Sequence, residues 1–207
     1  MKSVYIVLTD TGTVLTRCIK LFTRKNYNHS SIALDSQLDH VYSFGRKKVN
    51  NPFNGGFVKE NLYQDFFLRS RCQVYRLDME EAHFERMQEK ITEFELKRSD
   101  YRYNLLGLIG IALHQEWERE NAFFCSQFLA YILQESGMVH FHKPIYLITP
   151  DDLIAYVNPQ LIYQGTISHY LANQTLYAEN PEISYETNYV PQTFMKKWTL
   201  PMINRFL

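Results

Sequence analysis

The chain has 207 residues, and 22 Lys plus Arg balance 22 Asp plus Glu, so the formal charge is zero. That balance removes the electrostatic case for nucleic acid or an anionic membrane surface, and the length predicts one domain with a full hydrophobic core. Cys18, Cys72 and Cys125 are an odd set without a CxxC pair, which argues against a disulfide framework and a zinc cage.

The expectation is therefore a free thiol in a reducing cytoplasm, with no cofactor and no metal. No run of about 18 apolar residues is present, so no transmembrane segment is expected, and the N-terminal apolar run is too short for a signal peptide. In chain order, Val4 to Leu8 predicts a buried strand. Val14, Leu15, Cys18, Ile19 and Phe22 have helical spacing, with Cys18 on the apolar side.

His29 to Leu34 and His40 to Gly45 predict a β-hairpin about a polar turn. A two-residue turn puts His29 across from Phe44, and a three-residue loop puts it across from Ser43. A slip of one residue flips the face, so both registers stay open. Gly55 to Glu60 predicts another strand, and Cys72 to Leu77 alternates as a strand with Cys72 in the core. Met79 to Arg98 predicts an amphipathic helix whose charges form a solvated face. The tyrosine-rich stretch from Asp100 leads into an apolar segment ending at Leu113, read as a short helix.

Phe124-Cys125-Ser126-Gln127-Phe128 opens a further helix, because Cys125, Leu129 and Leu133 recur at intervals of four, as do Phe128 and Ile132. Gly137 closes it at the position that favours a left-handed residue. Cys125 thus falls in the first turn, where unpaired N–H groups and the helix dipole lower a thiol's pKa. A thiol there is either a small core residue or a nucleophile that needs a base. His140-Phe141-His142 has alternating imidazoles but no third ligand nearby. Thr149, Pro150 and Asp152 have the chemistry of a helix start. Leu161 to Gly165 reads as a last strand, and residues 168–207 read as an irregular C-terminal extension of a single domain over 1–207.

The ordered segments Tyr27-Asn28-His29-Ser30-Ser31-Ile32-Ala33-Leu34, Tyr42-Ser43-Phe44-Gly45-Arg46-Lys47, Tyr103-Asn104-Leu105-Leu106-Gly107-Leu108, Phe124-Cys125-Ser126-Gln127-Phe128 and Ile148-Thr149-Pro150 resemble a known family. It is that of the permuted papain-fold hydrolases of the YiiX/YaeF type, in the permuted branch of the NlpC superfamily and related to lecithin:retinol acyltransferase. The resemblance spans 3–165. It implies an α+β, circularly permuted papain-like fold, in which an antiparallel sheet carries the His and packs against the Cys helix.

It also implies Cys125 as nucleophile and His29 as general base. The family's third position falls on the second hairpin strand, where Ser43 takes the slot, with His40 and Glu60 as alternatives. Tyr103 matches a family tyrosine and stays outside the catalytic set; Asn104 stands where the family has Asp. The implied activity is hydrolysis of an amide or peptide bond through a thioester on Cys125. The alternatives are lipid acyl transfer or thioester hydrolysis of the lecithin:retinol acyltransferase kind, and a non-catalytic binding module on the same fold. The expected partner is a small amide, peptide or lipid-acyl substrate, with no nucleic acid; the sequence is silent on oligomeric state.

Overall fold

The N-terminal apolar run is β1 (Lys2–Asp10), and it is apolar on both sides because both of its faces are covered. Val4, Ile6 and Leu8 enter one core cluster and Val7 enters a second. A strand buried on both faces loses the polar alternation of a surface strand. The computed structural model describes residues 1–11, 27–46, 55–104 and 121–179.

Around β1 lie β2 (His29–Ala33), β3 (Val41–Arg46), β4 (Gly55–Glu60), β5 (Arg71–Met79) and β8 (Gln160–Thr166), in the antiparallel order β4-β3-β2-β1-β5-β8. A second, parallel pair joins β6 (Arg102–Tyr103) to β7 (Ala122–Phe123). The described helices are α1 (Asp65–Leu68), α2 (Glu81–Leu96), α3 (Cys125–Glu135), α4 (Pro150–Val157) and α5 (Ile167–Glu179). The chain is an α+β protein, and none of its described helices is long and apolar enough to cross a membrane.

The first core lies between the sheet and α2, α3 and α4. Phe44 is its centre, with the rings of Phe57, Phe94, Tyr101, Phe123 and Phe128 all between 5.1 and 6.0 Å from it. Such tilted and edge-to-face pairs add to the burial of apolar area, the dominant favourable term. The second core, under α5, holds Cys72, Val74, Tyr163, Ile167, Tyr170 and Leu171.

The hairpin adopts neither expected register. Ile32 pairs with Tyr42 and Ala33 with Val41, and residues 34–40 connect the strands. Two groups hold this longer connection. The Asp35 carboxylate accepts the backbone N–H groups of Asp39 and His40, each at 2.9 Å. Leu38, at φ 60°, turns its side chain inward and is 1% exposed. Anchoring one leucine in the second core thus selects the loop length, and the loop length selects the register.

Three other readings are corrected. Met79 ends β5 rather than opening the helix, which runs Glu81–Leu96. The entry at Arg102 and Tyr103 is a short strand rather than helix. The C-terminal stretch is not irregular over 167–179 but forms α5, whose buried positions Ile167, Tyr170, Leu171 and Gln174 have helical spacing. The expected helix over Val14–Thr23, with Cys18, lies outside the described residues, as do 105–113 and 180–207.

Two helix boundaries match their local chemistry. Gly137 is left-handed at φ 79°, and the N–H groups of Gly137 and Met138 return to the carbonyls of Gln134 and Leu133, a Schellman closure of α3. Thr149 and Asp152 form a reciprocal capping box at the start of α4, with Pro150 in the first turn. Lys143 adds a 2.8 Å bond to the same Asp152 carboxylate. Thr149→Ala is expected to lower unfolding free energy by about 1 kcal/mol in urea titration, with an unchanged slope.

Candidate active site

Cys125 is held from both sides along the chain. Before it, β7 pairs with β6, and Asn104 donates its N–H to the Phe123 carbonyl at 2.9 Å. Tyr103 in β6 lies so close to Gly55 that any Cβ there would stand 2.6 Å from the tyrosine Cβ, so the approach requires glycine. After Cys125, the Ser126 hydroxyl donates to the Ile148 carbonyl at 2.6 Å, tying α3 to the chain that enters α4. Phe124, Phe128, Leu129, Ile132 and Leu133 are all fully buried, so the first turn of α3 is fixed by packing as well.

The partner strand supplies the imidazole. β2 stays paired with β1 as far as Thr9 opposite His29. Its ladder with β3, however, ends at Ile32 opposite Tyr42, while β3 and β4 remain paired out to Arg46 and Gly55. The sheet therefore divides at the His29 end, with β1 and β2 on one side and β3 and β4 on the other. The Cys125 thiol sits at this division, hydrogen-bonded to the His29 side chain and to the Ser30 backbone N–H. The Leu34 N–H donates to His40 O at 3.1 Å, and alternation then turns the Ser30 N–H to the same side, where β3 no longer answers it. The sulfur takes the rung that the sheet leaves open.

Glu60 holds the other side of the imidazole. His29 Nε2 lies 2.7 Å from Glu60 Oε1, which leaves Nδ1 as the ring nitrogen for the thiol. Ser43 donates to the same carboxylate oxygen at 2.7 Å, and Ser31 donates to Oε2 at 2.5 Å. The two hydroxyls also lie 3.5 and 3.3 Å from Nε2, so the four side chains form one network. It has a simple origin in register. Val41 faces Glu60 and Ser43 faces Val58 across β3 and β4, which puts Ser43 and Glu60 on one side of the sheet.

Of the residues expected at the site, Cys125 and His29 come together. Ser43, the residue placed in the third position, lies 3.5 Å from Nε2, while Glu60, one of its alternatives, lies 2.7 Å away. Ser43 braces Glu60, and the carboxylate makes the short contact. His40 is elsewhere, exposed in the 34–40 connection and bonded to Asp35 at 3.0 Å. Glu60 reaches the imidazole through the register of β4 on β3, which no short sequence pattern fixes. The available signal was an acidic residue ending a strand beside inward-facing serines.

The electrostatics follow from burial and pairing. His29 and Glu60 side chains retain only 13% and 6% of their exposure. Burial opposes charge on His29, but the Glu60 carboxylate and the bonds to the thiol and carboxylate outweigh it and raise its pKa to about 10. Burial pushes Glu60 up, yet His29 and the donated bonds of Ser31 and Ser43 hold it below the ordinary carboxylate value. Burial likewise pushes the Cys125 thiol up, and the bond and charge of His29, helped by Ser30, bring it below the ordinary value. Cys72, buried without a cation, is pushed up to about 12. One thiol is thus held toward its reactive form and the other away from it.

Cys125 itself is 2% exposed, so most of the exposure of the Cys–His pair belongs to the imidazole. A cavity of about 440 Å³, lined by Leu38, Asp39, Lys59, Glu60, Asn61 and Tyr63, lies on the Glu60 side of the network. His140 and His142, the other imidazole pair, pack edge to face with centroids 5.6 Å apart. Comparisons with protein-family models, curated proteins and solved structures return no match.

Proposed function

We propose that the protein is a thiol hydrolase of the permuted papain-like kind, acting on an amide or peptide bond through an acyl-enzyme on Cys125. One observation carries the reading. The His29 imidazole is bonded between a helix-opening thiol and a buried carboxylate, with the short contact to Glu60 at 2.7 Å. A nucleophile, a base and a group that orients the base are the minimum for this chemistry. The circular permutation is supported by chain order, with the His strand preceding the Cys helix.

The steps follow from the donors and acceptors. His29 holds the proton that leaves Sγ, and the thiolate attacks the substrate carbonyl carbon. The oxyanion forms beside the first turn of α3, where the Cys125 N–H is available and the N-cap residue Phe124 offers no side-chain acceptor. His29 then passes its proton to the leaving nitrogen, the C–N bond breaks and a thioester remains. Water, deprotonated by His29, releases the acid and restores the thiol. Glu60 fixes the ring and stabilises its charged form, with Ser31 and Ser43 fixing Glu60. Acyl transfer to an alcohol or amine uses the same thioester, and lipid acyl groups are the second substrate class.

The burial of the sulfur favours a second reading, in which the fold binds a partner and Cys125 only fills space. Alkylation of the folded protein by iodoacetamide, read site by site in digested peptides, separates the two. The hydrolase reading expects Cys125 to be modified far faster than Cys72 at neutral pH. Equal, slow modification of both would sink it. A screen of acyl amides, peptides and lipid esters against wild type and Cys125→Ala then identifies the substrate class.

A further inference from the structure

The cavity of about 440 Å³ opens between the 34–40 connection, which supplies Leu38 and Asp39, and the chain leaving β4, which supplies Lys59, Glu60, Asn61 and Tyr63. Its volume is that of a small-molecule site, on the order of 300 to 1,000 Å³. Neither Cys125 nor His29 lines it, so the acyl chemistry does not take place there. Three charged groups do line it. The Glu60 carboxylate is already taken by His29, Ser31 and Ser43. Asp39 and Lys59 are opposite in sign and border one space, yet among the described residues neither joins an ion pair. The Lys59 ammonium stands 5.9 Å from the Tyr42 ring centroid. The Asp39 carboxylate accepts the Tyr63 hydroxyl at 3.5 Å, a long bond that leaves most of its acceptor capacity.

We propose that this cavity is a second binding site, for a small zwitterion of the amino-acid or dipeptide kind. The inference goes beyond the hydrolase reading, and the two can fail separately. A ligand carrying both signs answers both open charges, its carboxylate at Lys59 and its ammonium at Asp39, and bonds of that kind are about twice as strong as neutral ones. A ligand of one sign would meet one attraction and one repulsion. An acyl chain would strip water from two charges and return no bond to either. The remaining walls suit the same ligand. Asn61 Oδ1 accepts the Tyr63 N–H at 2.9 Å, which fixes the turn beside Lys59. Tyr63 keeps 53% of its exposure and offers an aromatic face to an ammonium, while Leu38 gives an apolar wall. Glu60 stands between this site and the imidazole, because it lines the cavity and bonds His29.

Titration calorimetry with the dipeptide alanyl-alanine tests this, using the full chain carrying Cys125→Ala so that no turnover intervenes. Saturable binding is expected, and N-acetyl-alanyl-alanine amide, which has the same backbone and no charge, is expected to give none. Lys59→Met and Asp39→Asn, each added to that background, are expected to weaken binding by about tenfold, the scale of one charged hydrogen bond. Both positions are exposed, so neither change disturbs the core. No saturable binding would overturn the proposal, as would equal binding of the charged and blocked peptides. Undiminished binding in either variant would place the dipeptide elsewhere, and would overturn the proposal while leaving the hydrolase reading intact. Wild-type Cys125 alkylating no faster than Cys72 would sink the hydrolase reading alone, since the charges of the cavity do not depend on the thiol.

Discussion

Cys125→Ala is expected to abolish the acyl-enzyme burst with an activated ester such as p-nitrophenyl acetate, and His29→Ala to slow it by about a thousandfold. The two variants fail for different reasons. Alanine at 125 removes the atom that bonds to the acyl group while keeping a small side chain in the packed first turn. Alanine at 29 leaves the sulfur but removes the acceptor of its proton and the charge that favours thiolate. An ordinary thiol is only a few per cent ionised at neutral pH. Alkylation of Cys125 in His29→Ala should therefore fall by a smaller factor than acyl transfer, since alkylation needs the thiolate but no proton return to a leaving group. Equal losses in the two assays would mean that His29 only tunes the thiol. No loss in either would remove it from the mechanism. Far-UV circular dichroism of both variants checks that the sheet is retained.

The parts of this site that were legible in the sequence are those set by local chemistry. The start of α3 at Cys125 shows in the four-residue spacing of Cys125, Leu129 and Leu133, and its end shows in Gly137. The start of α4 shows in Thr149, Pro150 and Asp152. The illegible parts depend on groups distant in the chain. The register of β2 on β3 is set by Asp35 capping the turn and by Leu38 finding the second core, and neither is a turn signal in itself. The role of Glu60 depends on the register of β4 on β3, which no short pattern encodes. The helix α5 was missed for a simpler reason. Its buried face reads Ile167, Tyr170, Leu171, Gln174, and a glutamine in the fourth slot breaks the apolar pattern while the spacing survives. The resemblance brought His29 and Cys125 into one scheme, and the fold adds the carboxylate behind them.

Glu60→Gln keeps the size of the side chain and changes its charge, and the variant is expected to lose about a hundredfold or more in acyl transfer. Nε2 of His29 can still donate to an amide oxygen. The two serine hydroxyls, however, now compete for that oxygen with an NH2 on the other branch, which cannot accept from Ser31 or Ser43. With the carboxylate gone, the His29 pKa falls from about 10 toward 6.5, and the imidazolium that favours the Cys125 thiolate is lost at neutral pH. The same change is visible in stability. Glu60 is held below its ordinary 4.5, so its contribution is present above that value and is lost as the pH falls through the folded-state pKa. His29 is raised, so its contribution is complete below 6.5 and disappears as the pH rises through about 10. The pair therefore stabilises the fold most between pH 4.5 and 6.5. Within that window Glu60→Gln is expected to cost about 3 kcal/mol, the scale of breaking a buried ion pair. Above the folded-state pKa of His29, where the imidazole is neutral in both proteins, the difference should shrink. Thermal unfolding of the two proteins across this range measures it. A stability gap that stays constant with pH would mean that Glu60 and His29 are not an ion pair, and that the carboxylate holds the ring by hydrogen bonding alone.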